Sequence, residues 1–180
     1  MIRKIFAGLV LLMIALWSCN SKSESKKIGG GDDLIIQQED GTLSLKLEKA
    51  ACYSNVSEPS SNTAEWNVVI SQPGRYKVWL SSATKDTLDL NYNNSVRVSL
   101  LDNQLEVNPE CDKIVQNSGD VTYPFYRADS YMGSFYISEP GEYSIQVISE
   151  KVISKEVRNQ TAYLSDDTRL MSVILTPMTR

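Results

Sequence analysis

Between residues 43 and 177, apolar and polar residues alternate over many short segments, which is the pattern of β-strands that bury one face. Residues 43–47 show it most simply, because three leucines there are separated by a serine and a lysine. Residues 66–80 and 133–147 repeat a longer pattern, Ile-Ser-x-Pro-Gly-x-Tyr-x-(Val or Ile), at an offset of 67 residues. Each copy places a Pro-Gly pair between two alternating segments. We therefore predict two β-hairpins, in which the glycine takes the positive φ of a type II turn.

Other segments extend this pattern. Residues 96–107 predict a central hairpin, and residues 34–36 predict a short edge strand. Residues 170–175 form a nearly continuous apolar run, which is typical of a final strand buried in a sandwich. A long apolar stripe at helical spacing is missing from the sequence. The sequence therefore predicts an all-β domain over residues 34–180, built as a β-sandwich of antiparallel strands.

The N-terminus predicts secretion and lipid anchoring. Residues 1–18 form a predicted signal peptide, in which Arg3 and Lys4 precede an uncharged apolar stretch that is shorter than the roughly 20 residues of a membrane-spanning helix. The stretch ends in Leu-Trp-Ser followed by Cys19, which resembles the lipobox of bacterial lipoproteins. Cys19 is thus the predicted lipidation site, carrying acyl chains such as palmitate; the alternative is an ordinary signal peptide in which Cys19 is incidental. More than one acyl chain anchors stably, at about 0.8 kcal/mol per buried methylene.

Residues 19–33 connect this anchor to the domain. After Cys19 they are mainly serine, lysine and glycine with few apolar side chains, so they cannot bury enough surface to fold. We predict a flexible tether. The predicted localisation is the bacterial cell envelope, with the membrane as a partner through the lipid and the domain facing either the periplasm or the outside.

Charge and composition narrow the function classes. Removal of residues 1–18 leaves 16 basic and 22 acidic residues, a formal charge of −6, and no basic cluster stands out in the sequence. This balance argues against a nucleic-acid partner. The chain has no histidine, and therefore lacks the commonest general base and a common metal ligand. We expect a protein that is not an enzyme.

Two cysteines remain in the predicted domain, Cys52 and Cys111. An oxidising compartment makes a disulfide between them one reading, which would stabilise the fold by roughly 4 kcal/mol in the chain-entropy model. Two separate buried thiols are the other reading. Neither cysteine belongs to a Cys-x-x-Cys pair, which argues against redox catalysis.

Three motifs follow one another along residues 43–177. A tryptophan strand leads through a Pro-Gly pair to Tyr-Lys-Val-Trp-Leu; Tyr-Met-Gly-Ser-Phe-Tyr-Ile then leads through a second Pro-Gly pair to Tyr-Ser-Ile-Gln-Val; the last motif is Leu-Met-Ser-Val-Ile-Leu-Thr-Pro. This order resembles the jelly-roll carbohydrate-binding modules of the family 6 and family 35 type, within the galactose-binding-like β-sandwiches. The resemblance implies a jelly-roll topology and a glycan as the partner.

Modules of that group often hold a structural calcium ion, so the resemblance also raises a metal site. Glu48 matches the glutamate expected near the first strand, but the last strand contains no aspartate, and Asp166 and Asp167 lie just before it. Calcium needs six or more oxygen ligands, which two adjacent aspartates do not supply. The expectation is no cofactor, with structural calcium left open.

The densest aromatic cluster falls in residues 123–131, which we predict to form a loop. The cluster consists of Tyr123, Phe125, Tyr126 and Tyr131, with Arg127 and Asp129 between them. Sugar-binding sandwiches stack pyranose rings on exposed aromatic side chains, so one reading is a ligand platform at the rim of the sandwich. The other is a loop that packs on the sheet, with Arg127 paired to Asp129. Trp79 is a second candidate because alternation turns it away from the core, where it either binds ligand or covers the sheet under residues 150–168.

Three hypotheses for function follow. The first is a non-catalytic envelope lipoprotein that binds carbohydrate, with Trp79, Tyr123, Tyr126, Arg127, Asp129 and Tyr131 as candidate ligand-binding residues. The second is a scaffolding lipoprotein that recognises another envelope protein. The third is a glycoside hydrolase that uses carboxylates alone, which requires two carboxylates roughly 5–10 Å apart across a cleft. The carboxylates that could serve, Glu65, Asp89, Asp129 and Glu139, are scattered along the sequence.

Overall fold

The computed structural model describes residues 34–55, 57–153 and 168–178. The predicted signal peptide, lipidation site and tether, residues 1–33, lie outside this part, as does the polar segment 154–167. Within the described part, no helix is long and apolar enough to span a bilayer.

The described residues contain eleven strands and two short 3-10 turns, joined by loops. The strands are β1 Ile35–Ile36, β2 Leu43–Lys46, β3 Ala51–Tyr53, β4 Thr63–Ile70, β5 Gly74–Thr84, β6 Val96–Leu100, β7 Asn103–Val107, β8 Lys113–Val115, β9 Tyr126–Ile137, β10 Gly141–Ile148 and β11 Thr168–Pro177. The 3-10 turns are Leu47–Lys49, after β2, and Pro59–Ser61, before β4.

The strands form two sheets that pack face to face. One sheet has the order β1-β4-β10-β6-β7, with β3 also paired to β4; the other has the order β2-β11-β5-β9-β8. All pairs are antiparallel except β1 with β4. The predicted all-β sandwich is therefore confirmed, and so are the central hairpin, as β6 and β7, and the buried final strand, as β11.

The core lies between the sheets and consists of the inward residues of each strand. In β2, Leu43 and Leu45 are fully buried while Ser44 and Lys46 face outward. In β5, Tyr76 is buried in the same way. The other large core residues are Ile35, Leu47, Trp66, Val68, Ile70, Val78, Leu80, Val96, Val98, Leu100, Met132, Phe135, Ile137, Ile145, Val147, Val152, Leu170, Val173 and Leu175. The alternation in the sequence thus correctly predicted which residues face the core.

The two predicted Pro-Gly hairpins are wrong. β4 and β5 flank the first Pro-Gly pair, yet β4 belongs to the six-stranded sheet and β5 to the five-stranded sheet. The second pair likewise joins β9 of the five-stranded sheet to β10 of the six-stranded one. Gly74 has φ of 153°, away from the value near +80° of a type II turn, and Gly141 has no positive φ. Each Pro-Gly segment therefore carries the chain from one sheet to the other. The two strands that flank it present apolar residues to the core from opposite sides.

The two copies of the repeat pair with each other instead. β4 pairs with β10, where Val68 lies opposite Tyr143, and β5 pairs with β9, where Tyr76 lies opposite Phe135. Val68 and Phe135 occupy equivalent positions of the two copies, as do Tyr76 and Tyr143. The pairing is therefore internally symmetric: one copy supplies a strand to each sheet, and the other copy supplies the neighbour of each.

In each copy, a tyrosine hydrogen-bonds back across the Pro-Gly segment, which we call the corner of that copy. The Tyr76 hydroxyl donates to the carbonyl oxygen of Gln72, and the Tyr143 hydroxyl donates to the carbonyl oxygen of Glu139 at 2.6 Å. Tyr76 is buried and also accepts from the Nε2 of Gln37 at 2.8 Å, whereas Tyr143 is half-buried. The same tyrosine-to-carbonyl hydrogen bond is thus made by a buried side chain in the first copy and by a half-buried one in the second.

We expect Tyr76→Phe to destabilise the protein more than Tyr143→Phe. Loss of the Tyr76 hydroxyl leaves a carbonyl oxygen and the Gln37 amide without their partner in a buried site, which costs about 1–3 kcal/mol. Water replaces the Tyr143 hydroxyl more easily, so about 0.5–1 kcal/mol is expected there. Urea denaturation of both variants measures the difference, and equal losses would contradict this account of the corners.

Candidate functional site

An aromatic row crosses the outer face of the five-stranded sheet. Trp79 in β5 lies directly between Ile174 in β11 and Tyr131 in β9, and all three face away from the core. The Trp79 and Tyr131 ring centroids are 5.2 Å apart, with the ring planes inclined by 55°. Adjacent strands lie about 4.8 Å apart, so the row spans roughly 10 Å. We call Ile174, Trp79 and Tyr131 the aromatic row.

A cluster of charges lies beside the aromatic row. Asp129 in β9 stands opposite Ser81 in β5, one outward position along from Trp79, and it accepts a hydrogen bond from the Ser81 hydroxyl at 2.5 Å. Arg127 donates to the same carboxylate through Nε at 2.9 Å and through a terminal nitrogen at 3.2 Å. The side chains of Arg127 and Asp129 are 18% and 8% exposed, so most of this ion pair is removed from water.

Asp120, in the segment before β9, extends this cluster toward β2. Its carboxylate oxygens lie 3.0 Å from Arg127 and 3.3 Å from the Nζ of Lys46. Burial acts to raise the pKa of Asp120, but the hydrogen bond and charge of Lys46, the charge of Arg127 and the hydrogen bond from Ser118 outweigh it, so the pKa lies below its ordinary value. Asp120 is therefore an ionised acceptor near neutral pH. We call Lys46, Asp120, Arg127 and Asp129 the charge cluster.

Two neighbouring cavities open on this face, and we refer to them together as the cleft. The larger, of about 450 Å³, lies over the 3-10 turn after β2, the segment before β9 and the start of β11. The smaller, of about 310 Å³, lies over Trp79 and Asp129 and is flanked by Lys77 and Lys113. Arg127 and Ile174 line both cavities. The cleft therefore extends from Trp79 and Ile174 of the aromatic row to the charge cluster, and Tyr131 borders it through its contact with Trp79.

The structure brings four of the six predicted ligand-binding residues together. Trp79, Tyr131, Arg127 and Asp129 share the outer face of the five-stranded sheet, and Arg127 pairs with Asp129 as one reading of the sequence expected. Tyr126 has the opposite strand parity to Arg127 and points to the other side of the sheet, 46% exposed. Tyr123 lies in the turn before β9 and is 88% exposed.

The predicted loop over residues 123–131 is wrong, because β9 begins at Tyr126. The tyrosines and polar residues of this segment alternate as a strand does, and a bulge at Met132 resets the register beyond them. Phe125 precedes the strand and lines the larger cavity, where the Arg169 guanidinium lies 4.6 Å from its ring centroid. A cationic group thus covers Phe125.

Residues that the sequence did not single out complete the site. Ile174, Lys46 and Asp120 line the cleft, and Ser81 donates to Asp129 at its side; the four come from different segments of the chain. Their alternation placed some of them on an outer face, but only the strand order puts β2, β11, β5 and β9 side by side. No signal in the sequence links Asp120 to Lys46, which are 74 residues apart.

The carboxylates considered for catalysis do not converge. Glu65 lies on the six-stranded sheet and accepts from Ser144 at 2.6 Å. Asp89 and Glu139 lie in connecting segments, and neither lines the cleft. Asp129 is held by Arg127 and Ser81.

The metal and disulfide expectations concern other residues. Glu48 lines the larger cavity, whereas Asp166 and Asp167 lie outside the described residues. Among the residues that the structure describes, no group of three or more acidic or cysteine side chains is placed to hold a metal ion.

Cys52, in β3, and Cys111, before β8, are not joined by a disulfide. Burial and the charges of nearby aspartates raise the pKa of the Cys111 thiol.

Comparison with known proteins shows the fold. No protein-family profile and no curated protein sequence matches the chain. Among solved structures, an α-L-fucosidase from Vibrio sp. strain EJY3 is 21% identical at a TM-score of 0.62, over 80% of this chain and 24% of that chain. A GH26-CBM35 β-(1,4)-mannanase from Podospora anserina is 12% identical at a TM-score of 0.47, over 78% of this chain and 28% of that chain. This chain thus corresponds to less than a third of either structure, and the fucosidase likeness supports the β-sandwich fold.

Proposed function

We propose that this protein is a non-catalytic carbohydrate-binding protein, whose ligand lies in the cleft on the outer face of the five-stranded sheet. The observation that carries the proposal is the contact between Trp79 and Tyr131, two adjacent aromatic rings that face outward from a rigid sheet beside fixed polar groups. Both rings are at least partly open to solvent, with Tyr131 41% exposed. Sites for small ligands combine such apolar surface with a few well-placed polar groups.

The aromatic row suits the less polar face of a sugar ring. Aromatic side chains bury large apolar areas and lose little conformational entropy on binding, because they have only two rotatable bonds. The inclination of 55° between Trp79 and Tyr131 makes a shallow corner rather than a flat surface. A pyranose resting against Trp79 would therefore meet Tyr131 at its edge.

The charge cluster supplies the polar contacts. Arg127 has five N–H donors, and Asp129 and Asp120 accept three of its hydrogen bonds among the described residues. Two donors remain for ligand oxygens, on a guanidinium that two carboxylates hold in place. A fixed donor loses little freedom when a hydroxyl group binds, which favours specific recognition.

The proposal does not include catalysis. The carboxylates of the charge cluster are engaged by cationic partners, and these partners lower the pKa of Asp120, which disfavours it as a proton donor. The resemblance of the sequence to family 6 and family 35 modules, together with the β-sandwich fold, supports binding alone. In this proposal Cys19 carries the lipid, and residues 19–33 hold the module to the cell envelope.

The test is a glycan-array screen of the mature chain with Cys19→Ser, followed by calorimetry on the best glycan. We expect Trp79→Ala and Tyr131→Ala each to weaken binding roughly tenfold, because each removes stacking worth about 1–2 kcal/mol. Tyr136→Ala is the matched control, since Tyr136 is 66% exposed on the same face of β9 but stands opposite Arg75, four residues along β5 from Trp79.

A second control separates this site from the loop predicted from the sequence. Tyr123→Ala removes the most exposed tyrosine of the residue 123–131 segment and should leave binding unchanged. If no glycan binds, or if binding survives both Trp79→Ala and Tyr131→Ala, the proposed function is wrong.

A further inference from the structure

Among the residues that the structure describes, the lining of the cleft holds more basic than acidic side chains, although the chain as a whole is acidic. Its lining contains six basic side chains, namely Lys46, Lys77, Lys113, Arg127, Lys151 and Arg169, against three acidic ones, namely Glu48, Asp120 and Asp129. The whole chain has a formal net charge of −4. A cleft of one sign concentrates ligands of the opposite sign, and its walls focus the field.

The excess charge does not come from the charge cluster. Within it, Lys46 and Arg127 balance Asp120 and Asp129 through contacts of 2.9 to 3.3 Å. The excess comes from the other side chains of the lining. Of these, Lys77 and Lys113 are exposed and form no ion pair with any residue that the structure describes. Their charges are directed to solvent beside the aromatic row.

The backbones of the two lysines lie well apart, on either side of Trp79. Lys113 in β8 stands opposite Asp129 in β9, whereas Lys77 in β5 stands opposite Ser134, further along β9. Two strand spacings and about four residues of strand separate their backbones, which is on the order of 15 Å. Trp79 lies on the surface between them, two residues from Lys77. An extended ligand that lies across Trp79 can therefore place a separate anionic group at each lysine.

We infer that the cleft recognises an anionic polysaccharide, with its sugar rings on the aromatic row and its carboxylate or sulfate groups at Lys77 and Lys113. This inference rests on the proposed function, which requires only that some glycan binds. Charged sites of this kind act over a distance of about 8 Å at physiological salt, so binding should weaken as salt is added.

The experiment measures binding of the mature chain with Cys19→Ser to four polymers: dextran, dextran sulfate, polygalacturonate and a single-stranded oligonucleotide. We expect binding to dextran sulfate or polygalacturonate, or to both, and their comparison identifies the anionic group. The double variant Lys77→Gln/Lys113→Gln should weaken that binding at least tenfold, and Trp79→Ala should do the same. Lys49→Gln is the control, because Lys49 is exposed and does not line the cleft.

The other outcomes are distinct. If only neutral glycans bind, or if the double lysine variant keeps full affinity for the polyanion, the inference is wrong while the proposed function stands. If the oligonucleotide binds as tightly as the polysaccharide, the cleft recognises charge without sugar and the inference is wrong. If none of the polymers binds and the glycan array shows no ligand, both the inference and the proposed function are wrong.

Discussion

Replacing Trp66 with alanine is expected to lower the free energy of unfolding by about 3–5 kcal/mol, the usual cost of deleting a large aromatic side chain from a core. Trp66 is only 2% exposed and packs among the inward residues of both sheets. Its indole nitrogen also donates to the carbonyl oxygen of Lys46 at 2.9 Å, where β2 ends below the cleft. The variant therefore loses packing and a hydrogen bond between segments 20 residues apart. Urea denaturation followed by circular dichroism measures the loss.

Trp79→Ala is the matched comparison, because both tryptophans belong to the first copy of the repeat but face opposite ways. Trp79 is half-buried on the outer sheet face, so its truncation leaves no closed cavity, and a loss of about 1 kcal/mol is expected. Binding should show the reverse order, with Trp79→Ala defective and Trp66→Phe close to normal in affinity. A Trp79→Ala variant as unstable as Trp66→Ala would mean that Trp79 belongs to the scaffold and would remove the central residue of the proposed site.

The sequence correctly predicted which face of each strand is buried, but it did not predict which strands pair with one another. An alternating segment reports which residues are buried, since the period of two is a property of each strand alone. Whether the next strand pairs beside it or crosses to the other sheet depends on a connection of only three residues, such as 71–73 between β4 and β5. Both arrangements bury Trp66 and Tyr76 equally well, so the pattern could not choose between a hairpin and a crossing.

The candidate site was predictable to the same extent. Alternation placed Trp79 outward, and composition drew attention to Arg127, Asp129 and Tyr131. Their meeting on one sheet face depends on β5 and β9 being neighbours, and these strands are brought together by the symmetric pairing of the two copies of the repeat. The charge excess of the cleft was hidden for the same reason, because its lysines and arginines come from separate segments and form no basic run in the sequence.

Asp129→Ala is expected to cost about 3 kcal/mol of unfolding free energy, which is large for a residue on the outer face of a sheet. The substitution removes the acceptor of two hydrogen bonds from Arg127 and of one from Ser81 in a site from which water is largely excluded. Breaking one partner of a buried ion pair typically costs 3–5 kcal/mol, because the other charge stays buried. The lower end of this range applies here, since Arg127 keeps its contact with Asp120 at 3.0 Å. Urea denaturation at neutral pH measures the change.

The double variant Arg127→Met/Asp129→Leu tests the reason for this cost. Removing both charges together leaves no buried charge without a partner, and apolar replacement of a buried pair is often neutral in stability. The double variant should therefore be more stable than Asp129→Ala, and with the single variants Arg127→Met and Asp129→Leu it completes a double-mutant cycle that should show a coupling between the two residues. It should nevertheless fail to bind glycan, because the fixed guanidinium has gone. If the double variant is the less stable of the two, Arg127 and Asp129 contribute to stability separately, and the cleft does not owe its rigid donor to their pairing.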